Sequence, residues 1–335
     1  MVHDADPATY ETPRLMDHSN PIVSIVLPTD TLGTVAPVLE RLRRLNAPER
    51  IEVILVSPAA DTLRIAAASE AGFHSVVVRP IDTLAPLGTA RAAGVLAASA
   101  PYVFLGETHS YLWPDALDPL LEPLVRGEAD VTVPGFVNGN PTGVISWTSF
   151  LVAYARWGSG GQAGPLSDCV PYDFLVRREV LTQAGDFLHE LLSDGERLNQ
   201  RLHETGRRVL FVPDARIDHV NLESWRACLH EFLLAGIVCG RQRSVFWSHP
   251  RRLAYIAGSW LVPAVLMARA WPGVRRLAVA GSIPVLSIPS MLLIFTAKAL
   301  GEAAGYAGLA RPHHPEMQTH YEVHRLDFAS PCQPR

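Results

Sequence analysis

The sequence predicts an α/β fold: a doubly wound, mostly parallel sheet flanked by helices, followed by a hydrophobic helical hairpin. Three observations predict it. Apolar runs recur as IVSIVL (22–27), IEVILV (51–56) and YVFL (102–105). Each has the length and composition of a strand buried on both faces. Between them, small and apolar residues fall at helical spacing, and alternation of the two patterns implies parallel βα units. After Arg251-Arg252 the chain turns uncharged over 253–268 and again over 277–297. Each run approaches the length of about 17–25 residues that a membrane span needs.

The elements follow in order. Ile22–Leu27 is a first strand, leaving at Pro28-Thr29-Asp30. Val35, Val38, Leu39, Leu42 and Leu45 line one face of a helix. Strands at 51–56 and 75–78 come next, then a small-residue helix at 89–99 and a strand at 102–105. Pro114 suits the first turn of a helix, and Asp130–Val133 reads as another strand. The stretches NGNPTG and GSGGQAGP are rich in turn formers. Order returns with a helix over Arg177–Ala184, a helix over Ser193–Thr205, a strand over Arg208–Val212 and a long helix over Leu222–Gly240.

Pro263, Pro284 and Pro289 interrupt the apolar runs, which membrane helices tolerate. Trp271-Pro272-Gly273 is the expected hairpin turn. Basic pairs stand both in that turn (Arg275-Arg276) and outside it (Arg251-Arg252). A spanning hairpin would place them on both sides, against the positive-inside tendency. An interfacial or re-entrant hairpin keeps them on one face. The alternative is a buried helical pair. The expected divisions are a disordered leader (1–20), a catalytic domain (21–245), membrane-associated helices (246–310) and a tail (311–335). His313, His314, His320 and His324 make a tail metal site conceivable, but a solvated tail is the expectation.

Of the 335 residues, 48% are hydrophobic, enough for a large core. A net charge of −4 gives no reason to expect nucleic acid. Cys169, Cys228, Cys239 and Cys332 form no C-x-x-C pair, which argues against a zinc knuckle or disulfide framework. The N-terminus lacks the basic start and apolar core of a signal peptide. No G-x-G-x-x-G follows the first strand, which disfavours a nicotinamide dehydrogenase. No Gly-rich phosphate loop follows Leu27, which disfavours a nucleotidyltransferase.

The chemistry concentrates at Gly106-Glu107-Thr108-His109, directly after YVFL. Ligands of open α/β sheets bind beyond the carboxyl ends of the strands. Glu107 and His109, two apart, point the same way in an extended segment. They read as metal ligands or, alternatively, as solvated loop residues. The acidic turn Ser193-Asp194-Gly195-Glu196 has the form of a capping box, with Ser193 and Glu196 as its partners. That leaves Asp194 free to face a cleft.

The ordered set of motifs resembles the family 2 glycosyltransferases, with their GT-A fold, over roughly residues 21–240. The set comprises Pro28-Thr29, IEVILV, G-x-A-R-x-x-G (Gly88, Ala90, Arg91, Gly94) and the acidic end of YVFL. It continues with R-R-E-V-L (177–181), R-L-x-x-x-G (Arg201, Leu202, Gly206) and V-L-F-V-P-D-A-x-I-x-H (209–219). The resemblance implies inverting transfer of a sugar from a nucleoside-diphosphate-sugar donor, assisted by a divalent cation, Mn²⁺ or Mg²⁺. It implies donor contacts at Pro28, Thr29, Asp30 and Arg91, a catalytic base at Asp194, and an acceptor-site residue at Asp173. Glu107, His109 and the later His219 are the implied metal ligands, or His219 caps a strand end. Imidazole tilts such a site toward Mn²⁺. The acceptor would be a cell-surface glycan or lipid-linked sugar at the cytoplasmic face of the membrane. Two departures stand out: Glu-Thr-His replaces the usual Asp-x-Asp, and Ser57-Pro58-Ala59-Ala60 replaces Asp-Asp-Gly-Ser. They support the alternative of a non-catalytic binding or assembly subunit.

Overall fold

Burial of the apolar runs sets the architecture. In the computed structural model, residues 20–67, 72–166, 172–281, 283–311 and 313–330 are described. Most of the expected leader, Cys169, Pro171 and Cys332 lie outside them.

Strands β1 (Val23–Pro28), β2 (Ile51–Ser57) and β4 (Tyr102–Leu105) are buried at every position. With β3 (Ser75–Pro80) they form a parallel array in the order β3-β2-β1-β4. The sheet continues as β8 (Leu175–Arg177), β6 (Val131–Asn138), β9 (Val209–His219) and β5 (Ser110–Leu112). Strand β7 (Gly164–Pro165) pairs with β9. β6 and β9 are parallel, while β8 and β5 run antiparallel to their neighbours, so this half of the sheet is mixed. β9 runs well past the expected Val212, because residues 209–217 alternate buried and more exposed positions with the period of a strand.

Helices α1 (Leu32–Leu42), α2 (Ala60–Ala67) and α3 (Leu87–Ala97) connect the parallel strands. α4 (Leu117–Val125) and α5 (Val144–Tyr154) flank β6 in the chain. The expected helix over Arg177–Ala184 is shorter. Leu175 and Val176 are fully buried between β4 and β6, so their stretch becomes β8, and α6 covers Arg178–Thr182. α7 (Leu188–Leu191) and α8 (Gly195–Glu204) lead to β9.

α9 (Trp225–Ser244) packs along α12 (Ser287–Tyr306) through facing glycines. A Cβ on Gly236 would stand 2.2 Å from the Lys298 carbonyl oxygen, and one on Gly301 would stand 2.1 Å from that of Leu233. Gly240 and Gly305 repeat the contact one turn on. Small residues four apart on both helices permit this backbone approach. The second apolar run thus supplies the start of a helix that packs on α9 along one face, while Leu292 and Leu293 stay exposed on the other.

The first apolar run forms α10 (His249–Gly258) and α11 (Val262–Val279). Together they give a helix of 31 residues long and apolar enough to cross a membrane, with only 11% of its most apolar window buried. The expected turn at Trp271-Pro272-Gly273 lies inside α11, and the reversal falls between Val279 and Ser287. Gly273 sits in the helix because its bare Cα meets the Ala155 carbonyl, where a Cβ would be 1.9 Å away.

The tail is not a solvated segment. Residues 313–323 form α13 (His313–Val323), followed by a turn of 3₁₀ helix over Arg325–Phe328. Arg325 is buried and bonds Glu231 of α9 at 2.6 Å and Glu322 at 3.0 Å. His324 pairs with Asp30 at 3.1 Å, and the four tail histidines form no shared ligand group among the described residues. Burial of this ion pair fixes α13 across the strand ends.

Candidate metal centre

The carboxyl ends of β4, β6 and β9 meet the beginnings of β5 and β8. Register brings Ser110 opposite His219, and Asn138 opposite the same residue. Val220 N–H donates to the His109 carbonyl at 3.0 Å. This ladder sets two imidazoles side by side although 110 residues separate them.

Glu107, His109 and His219 converge there, all buried. His109 Nε2 lies 3.1 Å from His219 Nε2 and 3.3 Å from Glu107 Oε2. His219 Nε2 lies 3.6 Å from the same carboxylate oxygen. Donor atoms about 2.1 Å from one ion, at angles near 90–110°, stand roughly 3.0–3.4 Å apart. Glu107 Oε2 is buried without a hydrogen bond. With the proton of His109 on Nδ1, both Nε2 atoms and the carboxylate oxygen present lone pairs to one another. A cation would satisfy all three, and a donor set of two imidazoles and one carboxylate fits a divalent metal ion. The solvated-loop alternative for Glu107 and His109 is excluded by their burial.

The electrostatics agree with ligand character. Burial alone would raise the Glu107 pKa, but His109, His219 and Arg91 hold it well below the usual carboxylate range. Burial pushes His219 down to about 4, against the pull of Glu107, so its imidazole is neutral at pH 7. Its tautomer is also set. The Asn221 amide Nδ2 donates to Asn138 Oδ1 and to the His219 carbonyl, at 3.0 and 2.8 Å. Asn221 Oδ1 must then accept from His219 Nδ1–H, at 3.1 Å, which leaves Nε2 with its lone pair toward the trio. Asn140 secures Asn221 by accepting from its backbone N–H at 2.7 Å and donating to its carbonyl at 2.8 Å. The Tyr154 ring covers His219, with centroids 4.2 Å apart.

These amides were not among the candidates from sequence, which placed Asn138 and Asn140 in a loop-rich stretch. The available signal was an amide at the end of each of two strands, in N-G-N and H-V-N. Glu322, whose Oε2 lies 3.9 Å from His109 Nε2, was missed because it comes from the tail.

Arg91 on α3 donates to Glu107 Oε1 at 3.1 Å and lies 3.6 Å above the Tyr172 ring. Gly88 lets the chain before α8 approach this point; a Cβ there would meet Ser193 N at 2.3 Å. A cavity of about 240 Å³ opens here, walled by Leu87, Arg91, Glu107, Tyr172, Ser193 and Glu322. Pro28 borders the adjoining recess with Arg91 and His109. Thr29 is fully buried and donates to the Thr31 carbonyl, while Asp30 accepts from Thr34 and pairs with His324.

Two expectations need correction. Asp194, not Ser193, is the N-cap of α8, accepting from the backbone N–H groups of Glu196 and Arg197. Ser193 Oγ instead donates to the His189 carbonyl, so the capping box does not form and Asp194 is not free of structural duty. Asp173 is fully buried rather than facing an acceptor. It occupies the left-handed region at φ 62° and accepts from Ser110 Oγ at 2.7 Å. Burial, reinforced by Glu107, raises its pKa well above the ordinary value.

A GT-A-like α/β sheet with an acidic and imidazole-rich centre at its strand ends defines a glycosyltransferase type of domain. Residues 24–185 match the family model described as Glycosyl transferase family 2. The match covers just under half of the chain, and Asp194 and His219 lie beyond the matched residues. No curated protein matches the chain. Among solved structures, it is similar to the mannosyltransferase PcManGT from Pyrobaculum calidifontis in complex with GDP-Man and Mn²⁺. That likeness has a TM-score of 0.52 and 16% identity, over 84% of this chain and 87% of that one, and it shows the fold. S. aureus TarS in complex with UDP-GlcNAc aligns with a TM-score of 0.45 at 15% identity, over 65% of each chain. GalNAc-T7 with UDP, GalNAc and Mn²⁺ aligns at 0.48 and 16%, over 62% of this chain and 45% of that one. The chain thus spans less than two thirds of the length of these last two.

Proposed function

We propose that this protein is an inverting glycosyltransferase that moves a sugar from a nucleoside-diphosphate-sugar to a glycan or lipid-linked acceptor at the cytoplasmic face of a membrane. The convergence of Glu107, His109 and His219 on one point at the strand ends carries this reading. These three side chains would hold a divalent ion, Mn²⁺ or Mg²⁺. Such an ion supplies charge neutralisation for a leaving diphosphate.

The remaining roles fall to the chain's own side chains. Arg91 presents a planar fork suited to two phosphate oxygens. It is held at the site by Glu107 and Tyr172. Pro28, Thr29 and Asp30, at the end of β1, border the nucleoside side. No acid stands at the end of β2, where Ser57 Oγ accepts from Ala59 N–H and donates to the Asp30 carbonyl, so we assign that part to Asp30. Asp194 heads α8 one residue from the cavity wall, and we assign it the acceptor's proton. Asp173 acts by positioning Ser110, beside His109.

A cavity of about 240 Å³ is smaller than the roughly 300–1,000 Å³ of ligand sites in general. Donor entry therefore requires α13 to shift, since Glu322 and Thr319 form one wall. The apolar helix at His249–Val279 supports membrane association.

Calorimetric titration with UDP and GDP, with and without Mn²⁺, tests the reading. Metal-dependent binding of one nucleotide is expected. Binding of neither would favour a non-catalytic assembly subunit, a role to which the altered end of β2 also points. Asp194→Asn tests the base. Asn caps a helix as well as Asp does, so the fold should hold while turnover falls by about 10²–10⁴-fold. Near-normal turnover would remove Asp194 from the chemistry.

A further inference from the structure

A second cavity lies away from the metal centre, between α9, α12 and the exposed α10–α11 helix. Its volume is about 420 Å³. Tyr255, Leu261, Val262, Val265 and Leu266 give it an apolar wall. Arg243, Arg269 and Lys298 line it together with a single carboxylate, Glu302.

The charges are unevenly committed. Arg243 pairs with Glu196 at 2.6 Å and with Glu302 at 3.5 Å. Lys298 stands 3.9 Å from Glu302. Arg269 makes no hydrogen bond or ion pair among the described residues. A cationic point inside an apolar wall suits an amphiphile with an anionic head. Around it, Trp260, Leu261, Val265 and Trp271 expose large apolar surface on the same helix. Trp247 and Tyr255 cluster with Tyr306 at one end. Such an aromatic set belongs at the level of lipid head groups.

We propose that this cleft binds a lipid carrying a terminal phosphate, with Arg269, Arg243 and Lys298 on the phosphate and the chain along the apolar face of α11. With Glu302 and Glu196 offsetting two of the three cations, one net positive charge, centred on Arg269, is left for an anionic head; a phosphate monoester, with about −1.5 to −2 charge at pH 7, engages it more strongly than a singly charged diester. The location adds a functional sense. Arg243 follows Gln242, which lines the donor cavity, and its partner Glu196 is two residues from Asp194. The lipid head would sit across α9 from the donor, beside the start of α8. This deepens the lipid-linked acceptor of the proposed function and rests on that reading for its role, though not for the binding itself.

The test uses the full chain in maltoside micelles, titrated calorimetrically with dodecyl phosphate, dodecanol and inorganic phosphate. Dodecyl phosphate should bind at one site at least tenfold more tightly than either control. Arg269→Glu should weaken it by about tenfold or more, and Arg269→Gln by less, as expected for lost charge-assisted bonds. Dodecanol binding equally well would make this a plain apolar groove. Inorganic phosphate binding equally well would make it a free anion site. Either result, or an affinity unchanged in both Arg269 variants, overturns the proposal. UDP binding with Mn²⁺, measured on the same wild-type samples, reports on the donor reading separately.

Discussion

Asn221→Ala probes the metal centre through a residue that touches no ion. The substitution removes the acceptor of His219 Nδ1–H and both donations from Nδ2, to Asn138 Oδ1 and the His219 carbonyl. The backbone N–H of residue 221 keeps its bond to Asn140 Oδ1. Asn138 Oδ1 keeps the Asn140 backbone N–H as a donor at 3.3 Å. The stability cost should therefore be modest, on the order of 2 kcal/mol, set mainly by the orphaned imidazole N–H. The effect on metal should be larger in proportion. Losing a group that orients a ligating histidine weakens metal affinity about 10–100-fold, or about 1.4–2.8 kcal/mol. Asn221→Asp keeps an acceptor for Nδ1–H, so it should retain most of the affinity despite losing the two donations. The assay is Mn²⁺ titration followed by electron paramagnetic resonance of the free ion, with circular dichroism as the folding control. If folded Asn221→Ala binds Mn²⁺ as tightly as the wild type, His219 is not held as a ligand in the way its hydrogen bonds imply.

Three further outcomes follow from burial and packing. Arg325→Ala strands Glu231 in the interior and should cost about 3–5 kcal/mol in urea unfolding; a loss below 1 kcal/mol would mean that the ion pair does not anchor α13. Gly301→Val drives a side chain into the Leu233 carbonyl and should lower stability by about 1–3 kcal/mol or more, measured by thermal unfolding. For Glu223, burial would raise the pKa, but hydrogen bonds from Thr142, Ser330 and Asn140 hold it below 4.5. A carboxylate depressed in the folded state stabilises above its unfolded pKa, and that contribution is lost as pH falls through the folded value. Hydrogen-exchange protection around residues 138–142 and 325–330, corrected for the intrinsic rate, should therefore fall as pH drops through that lowered value in the wild type, while Glu223→Gln should show low protection throughout.

Much of the sheet was legible because strands β1, β2 and β4 are buried on both faces and so are written as unbroken apolar runs. Glu107 and His109 drew notice for a related reason: an acid and an imidazole that end such a run have no structural purpose in view. His219 could be reached only through the order of motifs, since its neighbour in space lies 110 residues away. The second layer was beyond a local reading. Asn138, Asn140 and Asn221 look like turn formers until β6 and β9 are paired. α13 was hidden by composition, since its histidines and acids resemble a solvated tail. What orders it is the pair formed by Arg325 with Glu231, on an element 94 residues earlier. Asp194 was misjudged in one respect, because Ser193 and Asp194 are both good caps and only the backbone geometry chooses between them.

The wall that α13 provides has a consequence for severability. Thr108 Oγ donates to the Val323 carbonyl across 215 residues, so one side of the donor cavity is made by chain that follows the apolar helices. A fragment ending before His249 would discard more than the exposed apolar helix. It would open the cavity, take Glu322 from His109, and leave Glu231 on α9 without its counter-ion. In this protein the apolar helices cannot be trimmed from the α/β body by truncation without losing α13; polar substitutions on the exposed face of α11 leave the covalent path to α13 whole.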